Sequence, residues 1–191
     1  MKNLFLITLL LVSAISFSQE ELTIVKKHEL KVNAFNLIVF KAADFSYEYL
    51  IDSESSFGAL LLFNLHADDS RDSYTGPVYN EKFAFTPFYR RYFSSKYAWG
   101  FFLETFGMYN VQERTHRGHY DYVSEIYVNN SSTTKKSSNV AFGIAVGAKF
   151  VSKGGFAFEF FGGAGRNVFA SKDNLATEIV PRLGASFGYR F

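Results

Sequence analysis

Residues 139–151 sort their side chains into two kinds that do not belong in the same interior. Val140, Phe142, Ile144, Val146, Ala148 and Phe150 fall on one side; Ala141, Gly143, Ala145, Gly147 and Lys149 fall on the other. A period of two is the mark of a β-strand with two different faces. The pattern recurs in residues 155–165, where Phe156, Phe158 and Phe160 oppose Ala157, Glu159, Phe161 and Gly163. It recurs in residues 97–111, where Trp99, Phe101, Leu103 and Thr105 oppose Gly100, Phe102, Glu104 and Phe106. In the closing stretch Leu183, Phe187, Tyr189 and Phe191 oppose Gly184, Ser186, Gly188 and Arg190.

Eight such segments are present, at residues 31–39, 44–51, 57–65, 82–93, 97–111, 139–151, 155–165 and 179–191. The lumen of an eight-stranded barrel holds only side chains or one small ligand. Three to six bulky apolar groups from every strand would not fit there. A Gly/Ala face is equally unsuited to water, where Lys, Glu and Thr would be expected. The bulky face therefore meets lipid, and the small and charged face fills the lumen. The expected fold is all-β: an eight-stranded antiparallel up-and-down transmembrane β-barrel.

The connections agree. Residues 52–56, 94–96 and 152–154 are short; residues 66–81, 112–138 and 166–178 are long and polar. Short and long connections alternate, as they do between the two ends of an outer-membrane barrel. The first connection, residues 40–43, breaks this alternation by being short. Residues 120–128 are read as part of a hairpin rising above the membrane. An even strand count places both termini in the periplasm. Tyr49, Phe57, Phe93, Tyr97, Trp99, Phe150, Phe156, Tyr189 and Phe191 fall at the short-turn end and would form an aromatic girdle. Pro87 lies inside the fourth segment, where it costs a ladder hydrogen bond or marks a bulge. Pro181 stands near the start of the last.

The start of the chain reads as a secretory signal. Lys2 is followed by an apolar run over residues 4–15, too short to span a bilayer as a helix, and then by Ser16-Phe17-Ser18. The division expected is a signal peptide at residues 1–18 and an outer-membrane barrel domain at residues 19–191. With no cysteine, the chain is not a lipoprotein and is not held by disulfides. A formal charge of +2 gives no reason to expect a nucleic-acid partner.

The inward face carries both signs of charge: Glu48, Glu104 and Glu159 against Arg90, Lys149 and Arg182. Lys149 and Glu159 stand opposite each other if the turn is centred on Gly154, a favourable cross-strand pair. A structural plug of ion pairs is the expected role, with an ion pathway or a gate that rearranges as the alternative. His116 and His119, with Asp121 nearby, could ligate a metal, but their spacing suits a helix more than a loop, and Arg114 and Arg117 flank them and would repel a cation. Ser124, with His116 or His119 and Glu125 or Asp121, could supply the groups of a lipid A-modifying enzyme only if the loop gathers them. Residues 162–166 are Gly-rich but precede no helix, so they are not a phosphate loop. Arg71, Tyr74, Tyr79, Arg114, Arg117, Tyr120, Tyr122, Tyr127, Lys135 and Lys136 put basic and aromatic groups in the long loops, a composition suited to recognition.

Residues 31–38, Tyr47-Glu48, the run Pro87, Arg90, Tyr92 and Phe93, and Gly100-Phe101-Phe102 together resemble a family of small outer-membrane β-barrels of unknown function. The strand closing on Phe187, Tyr189 and Phe191 likewise resembles the C-terminal signal read by the barrel-assembly machinery. The resemblance implies an architecture similar to OmpX and the OmpA membrane domain, and it carries no activity with it. The expectation is a small non-enzymatic outer-membrane protein with a structural or surface-recognition role. Its partners would be membrane lipid, lipopolysaccharide and, during insertion, the assembly machinery; no cofactor is expected. A lipid A-modifying enzyme and a narrow channel are the alternatives.

Overall fold

A computed structural model describes residues 26–65, 81–116, 119–121, 126–128, 133–170 and 178–191. The signal expected at residues 1–18 lies outside them. The elements are β1 (His28–Asn33), α1 (Ala34–Phe40), β2 (Ala42–Leu50), β3 (Ser55–Asn64), β4 (Glu81–Tyr92), β5 (Gly100–His116), β6 (His119–Asp121), β7 (Ile126–Val128), β8 (Thr133–Val151), β9 (Phe156–Ala170) and β10 (Ile179–Arg190). Eight strands close in the order β1-β10-β9-β8-β5-β4-β3-β2, while β6 and β7 form a separate two-stranded hairpin. Every neighbouring pair in the barrel is antiparallel. The expected eight-stranded up-and-down barrel is the fold.

Alternation decides which way each side chain points. Phe101 and Phe156 are each 71% exposed and Ile144 is 61% exposed, whereas Glu104, Ala145 and Glu159 are buried. The bulky face is outside and the small and charged face inside. Small residues also set how closely the wall meets its filling. A Cβ added at Gly147 would stand 2.5 Å from the Phe102 ring and from the Phe160 carbonyl oxygen. The aromatic rings at the short-turn end pair across strands: Tyr49 with Phe57, Trp99 with Phe150, and Phe156 with Tyr189.

The first segment departs from expectation. Residues 31–39 are not one strand: β1 ends at Asn33 and residues 34–40 form α1. The Asn33 side chain accepts from the Asn36 N–H, a helix N-cap, and Lys41 ends the helix with a φ of 53°. The link between β1 and β2 is therefore this helix with Lys41, in place of the short connection expected at residues 40–43, and it lies at the long-loop end. Other boundaries move as well, and β9 runs on to Ala170, into residues expected as loop. β5 begins at Gly100, so residues 97–99 belong to a turn, and β5 and β8 stay paired out to His116↔Thr133. The β6–β7 hairpin lies within residues 120–128 but for its first residue, His119.

Pro87 is not a bulge. The β4–β5 register passes from Phe85↔Tyr109 to Phe88↔Phe106 without a shift, and pairing simply lapses at Thr86 and Pro87. On its other side Pro87 pairs with Ala59 of β3. The missing N–H thus interrupts one ladder and leaves the register intact. The irregularities lie elsewhere, between Glu81 and Phe83 and between Val140 and Ala141.

Candidate functional site: the charged lumen

Every inward charge named from sequence is buried: Glu48, Arg90, Glu104, Lys149, Glu159 and Arg182 are at most 4% exposed. Their side chains meet across the lumen. Ser56↔Arg90 and Arg90↔Glu104 align β3, β4 and β5, and Lys149↔Glu159 aligns β8 and β9.

Arg90 reaches across the lumen. Its Nε donates to Glu104 Oε2 at 2.7 Å, its Nη1 to Glu48 Oε2 at 2.9 Å and to Glu159 Oε2 at 2.7 Å, and its Nη2 to Glu159 Oε1 at 3.1 Å. The planar fork suits such bidentate pairing. Its guanidinium also lies over the rings of Phe102 and Phe88, at 4.3 and 4.6 Å. Glu48 is the acceptor hub. It takes bonds from Lys31, Ser56, Arg90, the Tyr92 hydroxyl and Lys149. Arg182 Nε donates to Glu104, and its guanidinium stacks over Phe161 and Phe106.

The expected pair of Lys149 with Glu159 exists as a register neighbour, yet the two side chains approach only to 3.9 Å. The Lys149 ammonium crosses the lumen instead, to Glu29 and Glu48 at 2.8 Å each. A long stem in a narrow tube can reach carboxylates on distant strands, so cross-strand pairing is not the strongest contact it makes.

Three charges of the same layer were missed by sequence reasoning. Lys31 donates to Glu48 and Glu159, and Glu29 holds Lys149. Arg190 donates from Nε to Glu29 at 2.7 Å, and from Nη1 and Nη2 to the carbonyls of Tyr97 and Ala98 at 3.0 and 2.8 Å. This ties the β4–β5 turn under the barrel as a floor. Ala98 is fully buried there and holds a φ of 40°, a strained value for a residue with a Cβ. The signal for Arg190 and Lys31 was their parity: Arg190 shares a face with Gly188 and Ser186, and Lys31 with Asn33 and Glu29.

Above the charges the filling changes. Leu60, Leu62, Ala84, Phe88, Phe106, Met108, Ala141, Ala145 and Val180 form a buried apolar cluster with Ala42, and Phe40 of α1 packs on it. Higher still, Asn110, Asn139, Asn167 and Ser137 bond one another through their side chains. Desolvating so many charges is costly, and the cost is offset only where each finds partners. In the charge layer Glu29, Glu48, Glu104, Glu159, Lys31, Arg90 and Lys149 all do.

The remaining candidates divide. Ser124, Glu125, Arg117, Tyr122, Arg71, Tyr74 and Tyr79 lie outside the described residues. His116 ends β5, and His119 and Asp121 stand in β6. Residues 162–165 lie on β9, a strand. Phe187 and Tyr189 lie on β10 and pair with Val32 and Leu30. Phe191 follows the strand, and its backbone bonds both ways with His28. Among the described residues no cluster of three or more His, Asp or Glu side chains is arranged to hold a metal. No family model, no curated protein and no solved structure matches the chain.

Proposed function

We propose that this chain is an integral outer-membrane β-barrel whose role is structural or recognitional rather than enzymatic, stabilising the membrane or presenting its long loops. One observation carries the reading: a belt of exposed Phe, Leu, Ile and Val surrounds a lumen packed with paired charges. Water is the wrong solvent for that exterior, because soluble monomers rarely expose apolar patches beyond a few hundred Å². A closed barrel satisfies its backbone internally, which is what hydrocarbon demands. The aromatic rings at the short-turn end suit a membrane interface, and that end then faces the periplasm along with both strand termini. The resemblance to small outer-membrane barrels of unknown function, and the closing Phe187, Tyr189 and Phe191, support the same location and an encounter with the assembly machinery. The proposed surroundings are outer-membrane lipid and lipopolysaccharide.

A lumen filled by Arg90, Lys149 and their carboxylates favours a plug over a channel. The enzyme alternative would draw on Ser124 and Glu125, which lie outside the described residues. The test is to refold the mature chain into phosphatidylcholine vesicles. Flotation with the vesicles, a β-type circular dichroism spectrum and a heat-dependent change in electrophoretic mobility are expected. A chain that folds without lipid or detergent and stays out of the vesicle fraction would overturn the reading.

A further inference from the structure

The barrel wall is not uniform. β1 pairs with β10 only from Glu29↔Arg190 to Asn33↔Ser186, and with β2 only from His28↔Tyr49 to Val32↔Phe45. Its neighbours run further toward the long-loop end, β10 to Ile179 and β2 to Ala42. Between these two banks, α1 stands in place of a strand.

The sequence is adapted to this seam. On β10 the Phe191 N–H donates to His28 and the Ala185 N–H to Asn33 Oδ1, so odd-numbered residues turn their N–H toward the β1 side. Pro181 shares that parity. Its missing N–H falls at the seam, where no ladder strand requires it. The Asn33 side chain takes the place of the absent strand for two positions, donating to Leu183 O at 3.2 Å and accepting from Ala185 N at 3.2 Å. The same side chain donates to Asp44 at 2.9 Å and caps α1.

α1 packs on both banks, β10 and β2, but no strand ladder holds it. It has 7 residues, too few to be stable without tertiary contacts. Asn36 is its buried residue and donates to Asp44 at 2.7 Å; Phe40 packs inward. Leu37, Ile38 and Val39 point outward, with Ile38 78% exposed. Directly behind the helix lies the apolar cluster, to which both banks contribute: Ala42 from β2 and Val180 from β10. Among the described residues, the buried side-chain atoms without a hydrogen-bond partner are Asn36 Oδ1, Asp44 Oδ1, Thr86 Oγ1 and Arg182 Nη2. Asn36 and Asp44 belong to the seam, Thr86 pairs with Leu60 of the apolar level, and Arg182 joins that level to Glu104 of the charge layer.

We propose that α1 is a door in the barrel wall, and that its displacement admits an acyl chain of the surrounding lipid to the apolar layer around Val180 and Leu62. The proposal rests on the membrane reading above. An acyl chain is the fitting occupant because apolar surface lies on both sides of the opening. Outside are α1, Phe45 and Leu183; inside are Leu60, Leu62 and Val180. Opening breaks the Asn33 and Asn36 bonds and the packing of α1 and Phe40 on the two banks, with no strand ladder between the banks to undo. Elsewhere the wall is held by strand pairing, interrupted between β4 and β5 at Thr86 and Pro87.

The test uses methyl-labelled protein in phosphatidylcholine nanodiscs and reads nuclear Overhauser contacts from lipid methylenes. Contacts to Ile144 and Leu183 report the membrane setting. Contacts to Val180 and Leu62, with none to Ala141 or Met108 at the far wall, are expected if the door opens. Asn33→Ala should raise the Val180 contacts several-fold while leaving those of Ile144 unchanged. Contacts at Ile144 and Leu183 with none at Val180 would overturn the door. No contact at Ile144 would overturn the membrane reading itself.

Discussion

The lower and upper halves of the lumen solve the same problem in opposite ways. In the lower half every strand contributes to a closed ladder, and Glu48 alone accepts from five side chains. In the upper half a strand gives way to a seven-residue helix, the filling is Leu, Phe and Met below a small Asn and Ser network, and polar atoms of Asn36, Asp44 and Thr86 lack partners. Buried charges tie the lower half to one arrangement, because moving any one of them strands several others. Apolar contacts are not directional and tolerate rearrangement. The molecule is therefore locked at the short-turn end and adaptable at the long-loop end.

The largest effect should come from breaking the lock. Arg90→Met leaves Glu48, Glu104 and Glu159 facing one another with fewer cations. A loss of about 3–5 kcal/mol is expected, read from urea unfolding of the vesicle-inserted protein. A variant as stable as the parent would mean that the charges are not mutually dependent. Next is Gly147→Val, which forces a side chain between the Phe102 ring and the wall. Its expected cost is about 1–3 kcal/mol by the same measurement. Asn33→Ala removes the helix cap and the two bonds to β10, for about 0.5–2 kcal/mol. Its signature is local: amide hydrogen exchange should quicken over residues 34–40 and stay unchanged in β8. Equal acceleration in both would erase the distinction between the halves.

The smallest effect lies in the β2–β3 turn. The Asp52 carboxylate accepts from the Glu54 N–H at 2.8 Å and from the Ser55 hydroxyl, which holds its pKa below the ordinary 3.8. A depressed carboxylate stabilises the fold above its unfolded value, and that contribution is lost as pH falls through the lower folded one. Asp52→Asn should thus lower the urea midpoint slightly at pH 7, with the difference vanishing in strong acid. A difference that persists there would assign the effect to something other than the charge.

Much of this was legible in the sequence because a strand alternates strictly. Parity sorted Phe142, Ile144 and Val146 from Glu104, Lys149 and Glu159, and the small volume of an eight-stranded lumen put the first set outside. What parity does not give is reach: Lys149 finds Glu29 and Glu48 on other strands rather than its register partner. The seam was illegible for a different reason. Residues 34–39 form a run, apolar but for Asn36, short enough to suit a strand or a helix, and Asn33, a good N-cap residue, is the main sign that separates the two. Starting that segment at residue 31 also left Glu29 out of the lumen, although it shares its parity with Lys31.

The chain's single tryptophan offers the most direct test of the central claim, that the bulky face meets lipid. Trp99 stands beside Phe150 at the short-turn end, with the Lys96 ammonium 4.6 Å from its ring centre. Its fluorescence should be measured in vesicles of lipids brominated either near the headgroup or near the chain end. Strong quenching by the first and weaker quenching by the second is the predicted result, placing the ring at a membrane interface. Emission unchanged by either lipid would contradict it, and the apolar belt would then need a different explanation.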